Sequence, residues 1–132
     1  MRFPSSEWAT AFQAALNASA EYREAASAWE GDLLLRVLPE TAGGPAPGIH
    51  LDLFHGECRS ARYVEDSSRV ESEFVYEGPV QNWGRLVRGQ LDPVKAILDG
   101  TFKIRGNLAK AMRFTRAAKE LVEVAARIPV DG

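Results

Sequence analysis

The residues best suited to chemistry lie together: His55, Glu57 and Cys58 supply a base, an acid and a thiol within one short stretch. A Cys–His pair can generate a thiolate nucleophile, the starting point for a small hydrolase or isomerase. Such a pair also needs a third group to orient the base and donors to hold an oxyanion, and nothing at recognisable spacing supplies them. The other histidine, His50, lies on the same expected strand as His55, with a spacing that points the two rings to opposite faces of the pleat. The plainer reading makes these residues the side chains of a hairpin turn, with no catalytic residue among them.

Other chemistries fail on composition. Two histidines, one cysteine and scattered carboxylates place no ligand pair on one helix face, so neither a metal site nor a cofactor is expected. A lone cysteine also excludes a disulfide framework. Glu71, Glu73 and Glu77 read as the solvated face of a strand. Between Gly100 and Gly106 the residues alternate as a strand does, rather than cradling a phosphate, and no Gly-Lys-Ser/Thr follows. Arg113, Arg116, Lys119 and Arg127 have only Phe114 as an aromatic neighbour, which is too thin for nucleic acid.

Charge is unevenly placed. The 132 residues carry a formal −2, yet 1–84 hold 6 basic and 13 acidic side chains, whereas 85–132 hold 10 basic and 5 acidic. The basic half is either the solvated face of a C-terminal helix or a contact for an anionic partner. No signal-peptide pattern and no apolar run of spanning length is present, so the default expectation is a cytoplasmic protein of one domain over 1–132.

The element pattern must position whatever these residues do. Ser5 is suited to cap a helix in which Trp8, Phe12, Ala15 and Leu16 recur at helical spacing. A second helix is expected over Ala20 to Ala28, ended by Gly31. Strands are expected over Asp32–Leu38, Ile49–Phe54, Cys58–Val64 and Val70–Glu77, with Gly56-Glu57 as a two-residue turn and a Pro/Gly loop over Pro39–Gly48. Joined by short turns, these four strands imply an antiparallel meander with one wet face. Short helices follow after Pro79 and at Asp92-Pro93, the second with Ile97 and Leu98 inward. A fifth strand is expected over Thr101–Arg105. Gly106-Asn107 then caps one long helix from Leu108 to Ala126. This order is that of an α+β domain, with helices packed on one face of a mainly antiparallel five-stranded sheet.

What remains is apolar. Trp83, Leu86, Leu91, Ile97, Leu98, Phe102, Ile104, Leu108, Met112, Phe114, Leu121 and Val122 would meet Leu35, Leu51, Leu53, Phe74 and Tyr76 on one sheet face. They either fill each other's space as a solid core or leave a ligand cavity between them.

The run Gly100-Thr101-Phe102-Lys103-Ile104-Arg105-Gly106-Asn107-Leu108-Ala109-Lys110-Ala111-Met112-Arg113-Phe114 resembles the strand–helix signature of the sterol carrier protein-2 lipid-binding family. Upstream, Trp83, Leu86, Gly89, Leu91-Asp92-Pro93 and Ala96-Ile97 look like the same family's preceding segment. The resemblance implies a hydrophobic tunnel between sheet and helices that takes a fatty acid, acyl-CoA, phospholipid or sterol-like molecule. Carried over by position, Trp83, Leu86, Ile97, Phe102, Ile104, Leu108, Met112 and Phe114 would border it. Thr115 stands where many members carry Gln, which favours acyl chains over sterol.

On this reading the protein is a non-enzymatic carrier of a hydrophobic small molecule or lipid. The C-terminal helix serves as a lid, and Arg113, Arg116 and Lys119 approach an anionic membrane or an acyl-CoA. A homodimer is compatible with it, and nucleic acid is not a partner. The competing reading keeps the fold but fills the core, making the chain an accessory subunit of a partner enzyme or of a homodimer.

Overall fold

The computed structural model describes residues 1–131. Its elements in chain order are α1 (Ser6–Ala18), α2 (Ala20–Ala25), β1 (Glu30–Leu38), β2 (Gly48–Phe54), β3 (Glu57–Val64), a 3-10 turn (Ser67–Arg69), β4 (Phe74–Pro79), α3 (Val80–Leu86), α4 (Pro93–Leu98), β5 (Lys103–Arg105), α5 (Leu108–Met112) and α6 (Thr115–Ala126). Helix starts follow the expected capping chemistry. Ser5, Asp92 and Asn107 each accept a backbone N–H of the first turn through the side chain.

The five strands form one sheet in the order β3-β2-β1-β4-β5. Three pairs are antiparallel and one, β1 with β4, is parallel. The fold is therefore α+β on a mostly antiparallel sheet, but the expected four-strand meander stops after β3. From there the chain crosses the sheet and lays β4 along the far side of β1. Residues 70–73, expected to open the fourth strand, belong to that crossing. The physical signal was in β1 itself: Leu33-Leu34-Leu35 has no polar alternation, as befits a strand covered on both faces beside a parallel partner.

Pleat alternation puts Leu33, Leu35, Phe74 and Tyr76 on the helix-covered face and Leu34, Arg36, Val75 and Glu77 on the other. The crossing segment covers part of that second face. Ser67 is wholly buried there, its Oγ donating to Ala46 O at 2.7 Å while its own carbonyl accepts from Arg36 Nη2 at 3.1 Å. Glu77, expected on a solvated face, is 5% exposed and lies between Arg36 and Arg105. The crossing segment withdraws its carboxylate from water, and two guanidiniums replace the lost hydration.

Three local departures have equally specific causes. The β2–β3 turn is His55-Gly56, with φ of 50° and 83°, rather than Gly56-Glu57, and two positive φ values match the twist of a tight hairpin. The second helix ends at Ala25 instead of Ala28, so β1 begins at Glu30 and Gly31 lies inside it. The expected long C-terminal helix is two helices. Phe114, at φ −118°, leaves the helical path and turns its ring onto Trp29, which separates α5 from α6.

Candidate functional site

Helices α1 to α6 and the covered face of the sheet line a half-open cavity of about 120 Å³. Every helix contributes a wall residue: Trp8, Tyr22, Leu86, Ile97, Met112 and Leu121, in that order, opposite Leu35 and Tyr76 from the sheet. That volume is the space open to the centre of a water molecule, of which a single water needs only about 10–15 Å³. The hollow therefore corresponds to molecular volume on the order of 300 Å³, the small end of ligand sites.

Small residues create it. Ala111, Ala117, Ala118 and Ala125 stand on the inward faces of α5 and α6, opposite large aromatic rings. A helix stripe built from alanine cannot reach the opposing side chains, and close packing fails along that line.

The polar atoms at the wall are few and mostly committed. Tyr76 Oη donates to Pro93 O at 2.9 Å, and Trp83 Nε1 donates to Arg36 O at 2.9 Å. Burial pushes the Tyr22 and Tyr76 hydroxyls well above the usual phenol range, so both stay neutral. Trp8 Nε1 is buried without a hydrogen-bond partner among the described residues. Among the described residues no carboxylate, histidine or cysteine lines the cavity, so these walls carry no acid/base pair. What the arrangement can do is keep apolar matter out of water.

Of the eight residues expected to border a tunnel, the structure brings six together in this wall: Trp83, Leu86, Ile97, Ile104, Met112 and Phe114. Phe102 is buried one layer behind, stacked on Tyr76 at 4.8 Å and edge-on to Trp83 at 5.0 Å. Leu108 is 50% exposed at the start of α5, and Leu98, expected inward, is 75% exposed. In both cases the inward positions of a short helix are taken by its neighbours, Ala96 and Ile97 in α4 and Ala111 and Met112 in α5. Sequence reasoning missed Trp8, Tyr22 and Trp29, which reach the cavity from the N-terminal part of the chain. The helical spacing of Trp8 marked it as buried but not against what.

The His/Glu/Cys cluster is dispersed. His55 Nε2 meets Glu30 Oε2 at 2.5 Å, and its ring stacks on Phe54. Cys58 is fully buried, its Sγ donating to Ser60 O at 3.3 Å, and burial pushes the thiol up to about 12. His50 sits on the opposite sheet face, 2.7 Å from Asp32 Oδ2. A wide, solvent-open depression of about 690 Å³ surrounds that pair, where Arg59 forks onto Asp52 at 3.0 and 3.1 Å. Asp32 and Asp52 are thus each paired, with His50 and Arg59, while Arg62 also borders the depression.

The comparisons with known proteins decide the kinship. The SCP-2 sterol transfer family matches residues 12–119. The chain belongs to that family. A crystal structure of sterol carrier protein 2 is 38% identical, covers 95% of this chain and 98% of its own, and superposes with a TM-score of 0.88. A Thermus thermophilus protein described as possibly a sterol carrier protein is 36% identical over 99% of this chain and 92% of its own, also at 0.88. The sterol carrier protein domain 2 of Helicoverpa armigera, 17% identical over 96% of this chain and 90% of its own, shares the fold at a TM-score of 0.57. No curated protein sequence matches. The sheet with helices over one face matches the fold of these relatives, and in this chain an apolar cavity lies between the two layers.

Proposed function

We propose that this chain acts as one domain that binds and carries a hydrophobic molecule, an acyl chain in preference to a sterol, without transforming it. The apolar cavity carries the reading. A ligand that loses about 200 Å² of apolar surface gains about 5 kcal/mol, with no bond chemistry required. Membership of a lipid-binding family and walls free of acid/base pairs support the same conclusion. The cavity weighs against the filled-core accessory subunit. As part of this reading the carrier works in the cytoplasm, where the buried Cys58 stays a thiol.

Delivery would use the basic side chains beyond the cavity. Arg113, Arg116 and Lys119 are exposed, and the last two are only loosely paired, at 3.8 Å from Glu24 and from Asp92. Pairs of that kind are worth little, so the cations are free to meet an anionic membrane or an acyl-CoA. Reversing all three to Glu should weaken binding to anionic vesicles; unchanged binding would remove this part of the proposal.

The decisive experiment is native mass spectrometry of the purified protein, with organic extraction of anything bound. A stoichiometric apolar adduct is the expected result. A bare protein mass that persists after incubation with fatty acids, acyl-CoA and sterols would sink the carrier reading.

A further inference from the structure

Among the described residues, Lys110 is the one cation that touches the aromatic wall of the cavity. Its ammonium lies 5.1 Å from the ring centre of Trp29 and 5.7 Å from that of Phe74, and both rings line the hollow. Phe114 closes the same cluster, edge-on to Trp29 at 5.0 Å. The ammonium is held by Glu73 Oε2 and by Glu30 O, each at 2.7 Å. Lys110 does not itself line the hollow; its side chain, 25% exposed, lies against two rings that do.

Its helix is lightly held. α5 has five residues, none of them fully buried, and lies between the Gly106 turn and the break at Phe114. Ala111 and Met112, the residues next to Lys110, face the cavity, so any ligand that fills it pushes against α5. Glu73 in turn is a carboxylate in a replaceable position: its backbone N–H donates to Asp32 Oδ1 at 2.7 Å, while its side chain is 45% exposed.

We propose that Lys110 is the head-group selector of the carrier, holding the carboxylate of a fatty acid whose chain lies in the cavity. The ligand oxygen takes the place of Glu73 Oε2 on the ammonium, and Glu73 is released to water. An ammonium above two aromatic faces remains favourable with either partner. The exchange replaces one charge-assisted bond by another, so the ligand's carboxylate is paired without new desolvation of the lysine, whereas without Lys110 it would lie unpaired beside an apolar wall. A neutral alcohol or ester of the same chain length leaves the Lys110–Glu73 pair in place and gains nothing from it. This inference rests on the carrier reading and names its ligand class.

The test is the ratio of affinities for decanoic acid and decan-1-ol, measured by calorimetry on the full chain. The ratio isolates the head group, because any loosening of α5 acts on both probes alike. Lys110→Met should lower the preference for the acid by about tenfold, the worth of one charge-assisted bond. Lys110→Arg should keep most of the preference. Glu73→Gln, which removes the competing carboxylate charge, should raise it severalfold. A ratio that Lys110→Met leaves unchanged, with both probes bound, would overturn the selector and leave the carrier intact. Failure of the unaltered protein to bind either probe would overturn both.

Discussion

Arg36 and Glu77 are register partners on the parallel strands β1 and β4, and Arg36 Nη1 donates to Glu77 Oε1 at 3.1 Å. Arg105 of β5 closes on the same carboxylate from the other side, at 3.1 and 3.3 Å. One buried anion thus ties together the three strands whose order departs from a simple meander. Removing it leaves Arg36, whose side chain is only 16% exposed, with the neutral Ser67 and no counter-charge, while Arg105 at 64% relaxes into water. Glu77→Ala is therefore expected to cost about 3 kcal/mol, the low end for breaking a buried pair. Urea melts of the two proteins measure it, and a loss of only a few tenths would mean that the cluster is merely superficial.

The same carboxylate gives a pH signature. Burial raises the Glu77 carboxyl, but Arg105 and Arg36 outweigh it and leave it below its ordinary 4.5. Asp32 behaves alike: burial raises it, while the Glu73 N–H and His50 hold it below 3.8. Groups lowered in the folded state bind fewer protons there than in the unfolded chain, so their stabilisation is complete above those ordinary values. It is lost as pH falls through the folded ones. The melting midpoint should stay level down to about pH 5 and fall below it, and Glu77→Gln should flatten the fall. An equally steep acid slope in that variant would move the cause elsewhere.

Ala118 faces the cavity from α6. Ala118→Leu places three more carbons into existing space, each worth about 0.8 kcal/mol when buried, so the melting midpoint should hold or rise. Ligand uptake should fall by about tenfold or more, the equivalent of about 1.4 kcal/mol. A destabilised Ala118→Leu protein would mean that the space is not there; a stable one that still loads ligand would place the ligand elsewhere.

Much of this was readable from residue order. The caps at Ser5, Asp92 and Asn107, the alternation through Ile49, Leu51 and Leu53, and the β5 strand before Asn107 are local features, set by neighbours in the chain. The parallel β1–β4 pairing was not, because Phe74 meets Leu33 only after the chain has crossed the sheet. The cavity lay between these cases. Large residues such as Trp83 and Met112 announce an apolar interior, but the hollow itself is made by Ala117 and Ala118, which look like ordinary helix formers. Lys110 was legible only as part of a helix signature; its contacts with Glu73 and Trp29 are tertiary.

Cys58 should be inert. Its thiol is buried against Ser60 O and is pushed up from the ordinary 9.0 to about 12, so almost no thiolate exists near neutrality. A chromogenic disulfide reagent at about pH 8 should label the folded protein only at the rate of its unfolding, and denaturant should release the reaction at once. Rapid labelling of the folded chain would reopen the thiol chemistry that the His55-to-Cys58 stretch suggested.

Gly106 joins β5 to α5 at φ +123°, a backbone region that side chains rarely adopt. A Cβ built there would lie 2.6 Å from the Phe74 ring and 2.7 Å from Glu73 O. The second contact is with backbone and cannot be relieved by a rotamer. Gly106→Ala must therefore shift β5, α5 or the strand beneath, at a cost of about 2 kcal/mol for a strained dihedral combined with a core contact. The first bond to yield should be the one Lys110 makes with Glu73, since Glu73 lies under the intruding methyl and Lys110 is only four residues along the chain. Hydrogen exchange can see this: amides of residues 108–112 should lose protection in Gly106→Ala well before those of β1 and β2. Uniform loss across the sheet would instead make the glycine a requirement of the whole fold rather than of the helix over the cavity.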